Sequence, residues 1–90
     1  MDVRIRERID AKVAESVKSA AEIRRLAEVT ALPSQNIDDI ILGIVTGRLY
    51  NAFWYQTRRI LGRDPLPSEF EEFVGIISEN REKLRDMAYG

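Results

Sequence analysis

One uninterrupted stretch, residues 37–62, constrains the fold of this chain more than any other part. It reads IDDIILGIVTGRLYNAFWYQTRRILG and contains the only tryptophan and two of the three tyrosines. Ser34 or Asn36 offers a side-chain cap for a helix that begins here, and Gly62 suits its left-handed end. A strand over residues 40–46 is the competing interpretation, because IILGIVT is rich in β-branched residues. The end signals and the apolar pattern that continues through RLYNAFWYQ favour a single helix.

Two amphipathic helices are predicted on either side of this central helix. Apolar side chains recur at spacings of three and four across residues 2–29, which is typical of one long helix. Pro33 stops that helix, because it disfavours helical geometry in the residue before it. After a proline-containing turn, Ser68 and Glu71 form a Ser-x-x-Glu capping box that opens the last helix. The sequence therefore predicts an all-α, three-helix domain over residues 1–90, with a long amino-terminal helix, a central buried helix and a capped carboxy-terminal helix.

The lengths and faces of these helices predict assembly. A helix of about 28 residues is roughly 42 Å long, whereas a compact domain of 90 residues is about 30 Å across. The central helix is apolar on nearly every side, which two neighbours from one chain cannot easily cover. Either the long helix breaks or a second chain covers the surplus surface. We expect a second chain, in a helical-bundle homodimer with two-fold symmetry.

The predicted dimer interface joins the apolar stripe of the first helix to one side of the central helix. Gly43 and Gly47 have the spacing Gly-x-x-x-Gly, which leaves a flat surface for a closely packed helix. That neighbour is either the alanine-rich face of the first helix or the central helix of a second subunit. Asn51 continues the surface and is suited to fixing the register through its amide. The predicted interface residues are Ile9, Val13, Val17, Ile41, Gly43, Gly47 and Asn51.

A second candidate surface lies at the carboxy-terminal end of the central helix. Arg58, Arg59 and Arg63 bring positive charge to this end. Trp54 precedes them and shares the side of Arg58, although it lies about 140° from Arg59 around the helix. Arginines pair with phosphates and aromatic rings stack on bases, so these four residues are the predicted nucleic-acid contacts. The competing interpretation makes the aromatic rings part of the core and pairs the arginines with acids of the next helix, Glu69, Glu71 or Glu72.

The missing residue types exclude most catalytic chemistry. The chain has no cysteine and no histidine, which removes thiolate catalysis and the commonest general base and metal ligand. The last helix carries acidic pairs at Glu-x-x-Glu spacing, but no properly spaced pair faces them from another helix, as a magnesium site would need. We therefore expect no enzymatic activity, no metal site and no cofactor.

Charge and composition narrow the remaining classes. The formal net charge of −1 argues against a protein that binds nucleic acid over its whole surface. The most apolar run is interrupted by glycines and an arginine, so no membrane span is expected. A small domain without disulfides is expected in the cytoplasm. The leading prediction is a non-enzymatic protein–protein interaction or oligomerisation module, and nucleic-acid association is the alternative.

Overall fold

The computed structural model describes residues 1–90 as five α-helices without a strand. The all-α prediction is confirmed, but the prediction of three helices is wrong, because each outer helix is interrupted once. None of the five helices combines the length and the apolar character that crossing a bilayer requires. The helices are α1 (Val3–Lys18), α2 (Ala20–Thr30), α3 (Ile37–Leu61), α4 (Pro67–Glu79) and α5 (Arg81–Tyr89).

The central helix α3 has the bounds that its end signals predict. The Asn36 side chain accepts a hydrogen bond from the Asp38 amide at 2.8 Å. Gly62 adopts the left-handed conformation with φ 68° and donates its amide to the Arg58 carbonyl oxygen at 3.0 Å. The competing strand over residues 40–46 is therefore excluded, and capping overrides the β-branched composition of this segment.

The amino-terminal helix is interrupted at Ser19, which separates α1 from α2. Ser19 has φ −93° and ψ 14°, away from helical values. One turn earlier, the Ser16 hydroxyl donates to the Lys12 carbonyl oxygen at 2.8 Å, a bond of the kind that often bends helices. The Ser19 amide still donates to the Glu15 carbonyl oxygen at 3.0 Å. The interruption is therefore a single residue within an almost continuous helix.

The carboxy-terminal helix is interrupted in the same way at Asn80, which has φ −96° and ψ 8°. The Asn80 side-chain amide donates to the Ile76 carbonyl oxygen at 2.9 Å. Short polar side chains compete for backbone groups in this manner, which is why they disfavour helix interiors. The polar residue that interrupts the apolar stripe of this helix therefore also ends α4.

The start of α4 differs from the predicted capping box at Ser68 and Glu71. The helix begins one residue earlier, at Pro67, and proline suits the first helical position because it lacks an amide hydrogen. Glu69 takes the capping role, since its carboxylate accepts a hydrogen bond from the Leu66 amide at 2.8 Å. The predicted capping box is therefore wrong in position, although the carboxylate of a glutamate, Glu69, does cap the start of the helix.

The five helices form three rows, and the row of α1 and α2 runs antiparallel to α3. Arg48 in the middle of α3 pairs with Glu15 near the end of α1 at 3.2 Å. Arg24 of α2 pairs with Asp38 at the start of α3 at 2.9 Å. Later residues of the first row therefore meet earlier residues of α3.

The row of α4 and α5 also runs antiparallel to α3. Phe73 of α4 stacks on Phe53 of α3, with ring centroids 4.7 Å apart and an interplanar angle of 12°. At the far end of the row, the Tyr89 hydroxyl donates to the Asp39 carboxylate at the start of α3. The chain therefore runs up, down and up through the bundle.

The molecule is elongated, measuring 41 × 21 × 20 Å with a Cα radius of gyration of 13.8 Å. The row of α1 and α2, at about 1.5 Å per residue, matches the long dimension. The expected overhang assumed a roughly spherical domain about 30 Å across. The elongated shape removes that overhang, and with it one argument for a second chain.

The core runs along α3 and draws on all five helices. It buries three residues of the predicted interface, Ile9, Val13 and Ile41, each at most 1% exposed. These residues have no surface to offer a second copy, which corrects that part of the prediction. The expectation that one chain cannot cover α3 is also wrong for most of its surface. The core residues are Ile5, Ile9, Val13, Ile23, Ala27, Ile41, Val45, Leu49, Phe53, Phe73, Ile76, Leu84 and Ala88.

Candidate functional site

One strip of α3 stays uncovered by the other helices. Its positions fall within about 140° of the helix surface at 100° per residue. Trp54 is partly buried, and the other members of the strip are exposed. We call this strip the open face; its residues are Asp39, Gly43, Thr46, Gly47, Tyr50, Asn51, Trp54 and Arg58.

Gly43 and Gly47 lie at the centre of the amino-terminal half of the open face. A side-chain carbon built at either glycine meets nothing within 4 Å. Neither has positive φ, so neither needs to be glycine for its backbone conformation. The alternative that the alanine-rich face of the first helix packs against them is therefore excluded, and no contact within the chain accounts for them.

Aromatic residues occupy the other half of the open face and continue onto α4. The Tyr50 ring meets the edge of Trp54 at a centroid distance of 6.4 Å and that of Phe70 at 6.2 Å. Tyr50 is 45% exposed, Phe70 41% and Val74 44%. Together they border an apolar cleft of about 370 Å³ between α3 and α4. Its lining residues are Thr46, Tyr50, Phe70, Phe73, Val74 and Ile77.

Phe70 and Val74 are exposed apolar residues of α4 that belong to neither predicted site. The structure buries Phe73 and Ile76 of the same helix and leaves Phe70 and Val74 at the edge of its apolar side. The signal was present in the width of the apolar face, because residues 70, 73, 74, 76 and 77 span about 160° of a helix. A face that wide exceeds what one neighbouring helix covers.

The remaining predicted interface residues are divided between two helices. Asn51 lies on the open face beside Gly47 and is exposed. Val17 is exposed on α1, 39% accessible, and nothing from α1 lies within 4 Å of a side chain built at either glycine. The structure therefore brings Gly43, Gly47 and Asn51 together on one surface and leaves Val17 apart from them.

The four residues predicted to contact nucleic acid line one open cleft at the carboxy-terminal end of α3. This basic cleft has a volume of about 780 Å³. Trp54 forms part of its wall together with an exposed tyrosine, and Gly62 lies at its end. Its lining residues are Asn51, Trp54, Tyr55, Arg58, Arg59, Gly62, Arg63 and Asp64.

Acidic neighbours neutralise much of the charge in this basic cleft. Arg63 forms a two-pronged pair with the Glu69 carboxylate, with nitrogen–oxygen distances of 2.7 and 3.2 Å. This pair raises the pKa of Arg63, and it lowers the pKa of Glu69 together with the Leu66 amide. Arg58 lies 3.3 Å from Asp64. The expected pairing of an arginine with Glu69 is therefore confirmed.

Arg59 is the arginine of the basic cleft with no acidic partner. Its side chain donates to the neutral Gln56 oxygen at 3.0 Å. It also borders a neighbouring cleft of about 440 Å³ that Arg4, Glu7 and Arg8 line. Arginines therefore continue from α3 onto the start of α1, although the acidic Glu7 lies among them and Arg4 is paired with Asp2 at 2.8 Å.

The acidic residues of the carboxy-terminal row are spread among separate ion pairs. Glu72 pairs with the amino-terminal ammonium at 2.5 Å, and Glu79 pairs with Arg6 at 2.5 Å. No group of three or more acidic side chains is arranged to hold a metal ion.

The comparisons with known proteins leave these two surfaces without a relative to explain them. The chain matches no protein-family model, no curated protein and no solved structure. What each surface binds therefore has to follow from its own geometry and charge.

Proposed function

We propose that this protein is a non-enzymatic helical module that self-associates into a homodimer through the open face. The observation that carries the proposal is the pair of unexplained glycines in the middle of a helix. Each glycine costs a helix interior roughly 0.5–1 kcal/mol relative to alanine. Within one chain neither glycine is required by packing or by backbone conformation. Close approach of another helix is the physical use that remains.

The distribution of charge on the open face supports a second copy as the occupant. Asp39 lies at one end of the face and Arg58 at the other, and both are exposed. A surface with opposite charges at its two ends is complementary to itself after a half-turn rotation. Two-fold dimers use this kind of self-complementary surface. The apolar centre between the two charges supplies area that leaves water on pairing.

Sedimentation equilibrium tests the proposal directly. The wild-type chain is measured from low micromolar to several hundred micromolar, and a reversible monomer–dimer equilibrium is expected. Tyr50→Ala removes an exposed ring from the face and is expected to weaken the dimer, whereas Leu26→Ala, which removes a 54% exposed apolar side chain of α2 outside the face, is the control. A folded wild-type chain that stays monomeric throughout overturns the proposal.

A second candidate function is association with single-stranded nucleic acid through the basic cleft. It is favoured by one observation, that Trp54 and all three predicted arginines line the same cleft. The ion pairs of Arg58 and Arg63 count against it, because they leave Arg59 as the cation without an acidic partner. Interactions with phosphates also depend strongly on salt.

Fluorescence anisotropy with a labelled oligonucleotide tests this second function. Binding that falls steeply between low and physiological salt, and that Arg59→Gln weakens, supports it. Arg25→Gln changes an exposed arginine on α2 and serves as the matched control. An unchanged anisotropy at low salt removes nucleic acid as a partner of the cleft.

A further inference from the structure

We infer, building on the self-association proposed above, that α3 pairs antiparallel with α3 of a second copy in one specific register. In this register the aromatic half of each open face covers the glycine half of the other. Tyr50 lies over Gly47 of the partner subunit, and Trp54 lies over Gly43 of the partner subunit. The two-fold axis then passes between residues 48 and 49.

Matching sizes on the open face determine this register. Gly43 and Trp54 are equally distant from the proposed axis, and so are Gly47 and Tyr50. Each glycine leaves an empty site on the helix surface, and each ring stands at least partly clear of the chain. A two-fold rotation therefore places two large side chains over two empty sites. Insertion of large side chains between helices in this way is how closely packed pairs interlock.

Charge selects the same register at the ends of the face. Asp39 and Arg58 are also equally distant from the axis, so each meets its opposite in the partner subunit. Thr46 and Asn51 form the remaining pair, and both are polar. The positions of the residues alone do not select this pairing, because any strip along a helix matches itself when the helix is reversed. The residue types favour the antiparallel arrangement, because a parallel alignment would place acid on acid, arginine on arginine and glycine on glycine.

Existing contacts of the two charged residues allow this pairing. Arg58 lies 3.3 Å from Asp64, but both side chains are about two-thirds exposed, and such pairs contribute little to stability. Asp39 accepts a hydrogen bond from the Tyr89 hydroxyl through one carboxylate oxygen. The second carboxylate oxygen remains available to a guanidinium from the partner subunit.

The size of the face sets the expected strength of the dimer. From Asp39 to Arg58 the face is about 28 Å long. Pairing over the 21 Å width of the molecule buries on the order of 1,100 Å² in total, near the lower limit for specific interfaces. We therefore expect a dimer in the micromolar range.

Glutamine variants of Gly43 and Gly47 test whether these two positions are the proposed seats, that is, the empty sites that receive the rings of the partner subunit. Gly43→Gln and Gly47→Gln fill the empty sites with a neutral side chain whose β-carbon has no neighbouring atom within 4 Å in the monomer. Overpacking a tight contact is expected to weaken dimerisation by on the order of tenfold or more. Gly75→Gln is the matched control on α4, since its site is equally empty and lies outside the open face. Circular dichroism confirms that each variant keeps its helices.

A charge exchange tests the register itself. Asp39→Arg and Arg58→Asp are each expected to weaken the dimer by roughly threefold to tenfold at low salt. The double variant restores opposite charges across the proposed pairs, so its dissociation constant is expected to return toward the wild-type value. A double variant that is weaker than either single variant overturns the register.

The outcomes separate the register from the proposed self-association. If the wild type dimerises and Gly43→Gln and Gly47→Gln both keep its dissociation constant, the inferred register is overturned, while self-association itself stands. A wild-type chain that stays monomeric overturns self-association, and the register falls with it. Loss of dimer in the Gly75→Gln control as well would show a general effect of helix substitution, and it would also overturn the assigned seats.

Discussion

At the residue scale, replacement by alanine is expected to have opposite effects on stability at Gly47, inside α3, and at Gly62, which ends it. Gly47→Ala is expected to raise the free energy of unfolding of the monomer by about 0.5–1 kcal/mol, because alanine favours helix and nothing obstructs its methyl group. Gly62→Ala is expected to lower it by about 1–2 kcal/mol, since φ is 68° there. Urea unfolding at low micromolar concentration measures both. A destabilising Gly47→Ala would show that the monomer does need this glycine.

The stacked rings at the centre of the core give a second prediction at this scale. Phe53 is 1% exposed and lies against Phe73. Phe53→Ala leaves a cavity between α3 and α4 and is expected to cost about 3–5 kcal/mol. That is a large part of the stability of a small domain. Tyr55→Ala, on the same helix but 60% exposed, is expected to change stability by less than about 0.5 kcal/mol.

At the scale of single elements, Glu69 joins the turn before α4 to the helix itself. Its carboxylate binds Arg63 and caps the Leu66 amide. Glu69→Ala is expected to cost about 1 kcal/mol in the free energy of unfolding, as other lost caps do. Glu69→Gln keeps an oxygen for the Leu66 amide and is expected to cost less. Equal losses in the two variants would assign the whole effect to the ion pair.

The acid dependence of stability follows from the same element. The Arg63 guanidinium, followed by the Leu66 amide, lowers the pKa of Glu69. Because the folded state binds this proton less tightly than the unfolded state, the stabilisation is present above the usual glutamate pKa and is lost as pH falls through the folded-state value. The pKa of Asp2 is lowered to about 2, mainly by Arg4. Its contribution to stability is therefore lost at a lower pH, in stronger acid.

Urea midpoints measured from neutral pH down to about pH 2 check this dependence. The urea midpoint of the wild type is expected to fall in acid. The midpoint of Glu69→Gln is expected to fall less steeply below the usual glutamate pKa. A curve for Glu69→Gln that runs parallel to the wild type would show that another carboxylate dominates.

For the single elements, the sequence predicts where the central helix begins and ends better than it predicts breaks within the outer helices. Asn36 and Gly62 mark the ends of α3 correctly because caps are local signals. The breaks at Ser19 and Asn80 are harder to predict, since each residue is only weakly unfavourable in a helix. Ser16 and Ser19 are the same residue type, so a local pattern does not tell which of them interrupts the helix.

At the scale of the whole molecule, the single tryptophan reports on assembly. Trp54 is partly buried in the monomer and is proposed to be covered in the dimer. Its fluorescence emission is expected to shift to shorter wavelength as concentration rises through the dissociation constant. Gly43→Gln is expected to remove the shift, because it occupies the proposed seat of this ring. A shift that persists unchanged in Gly43→Gln would contradict that seat.

The candidate site could be predicted only in part, because it depends on which face of α3 the chain covers. The glycine spacing marks Gly43 and Gly47 without the structure. The basic cleft brings Trp54 together with its three arginines, although the helical wheel separates Trp54 from Arg59 by about 140°. Ile9, Val13 and Ile41 were misplaced because apolar spacing does not distinguish a core face from a dimer face. Only the positions of the outer rows separate the two.

The up-down-up path of the chain determines how copies can be joined. The amino terminus is held by Glu72 near the start of α4, and Tyr89 reaches the start of α3 at the opposite end of a 41 Å rod. A circular permutant therefore needs a linker on the order of 12 residues or more to cross that length. In the proposed antiparallel dimer the carboxy terminus of one copy would lie at the same end as the amino terminus of the other. A much shorter linker would therefore fuse two copies into a single-chain dimer, with its affinity raised by effective concentration.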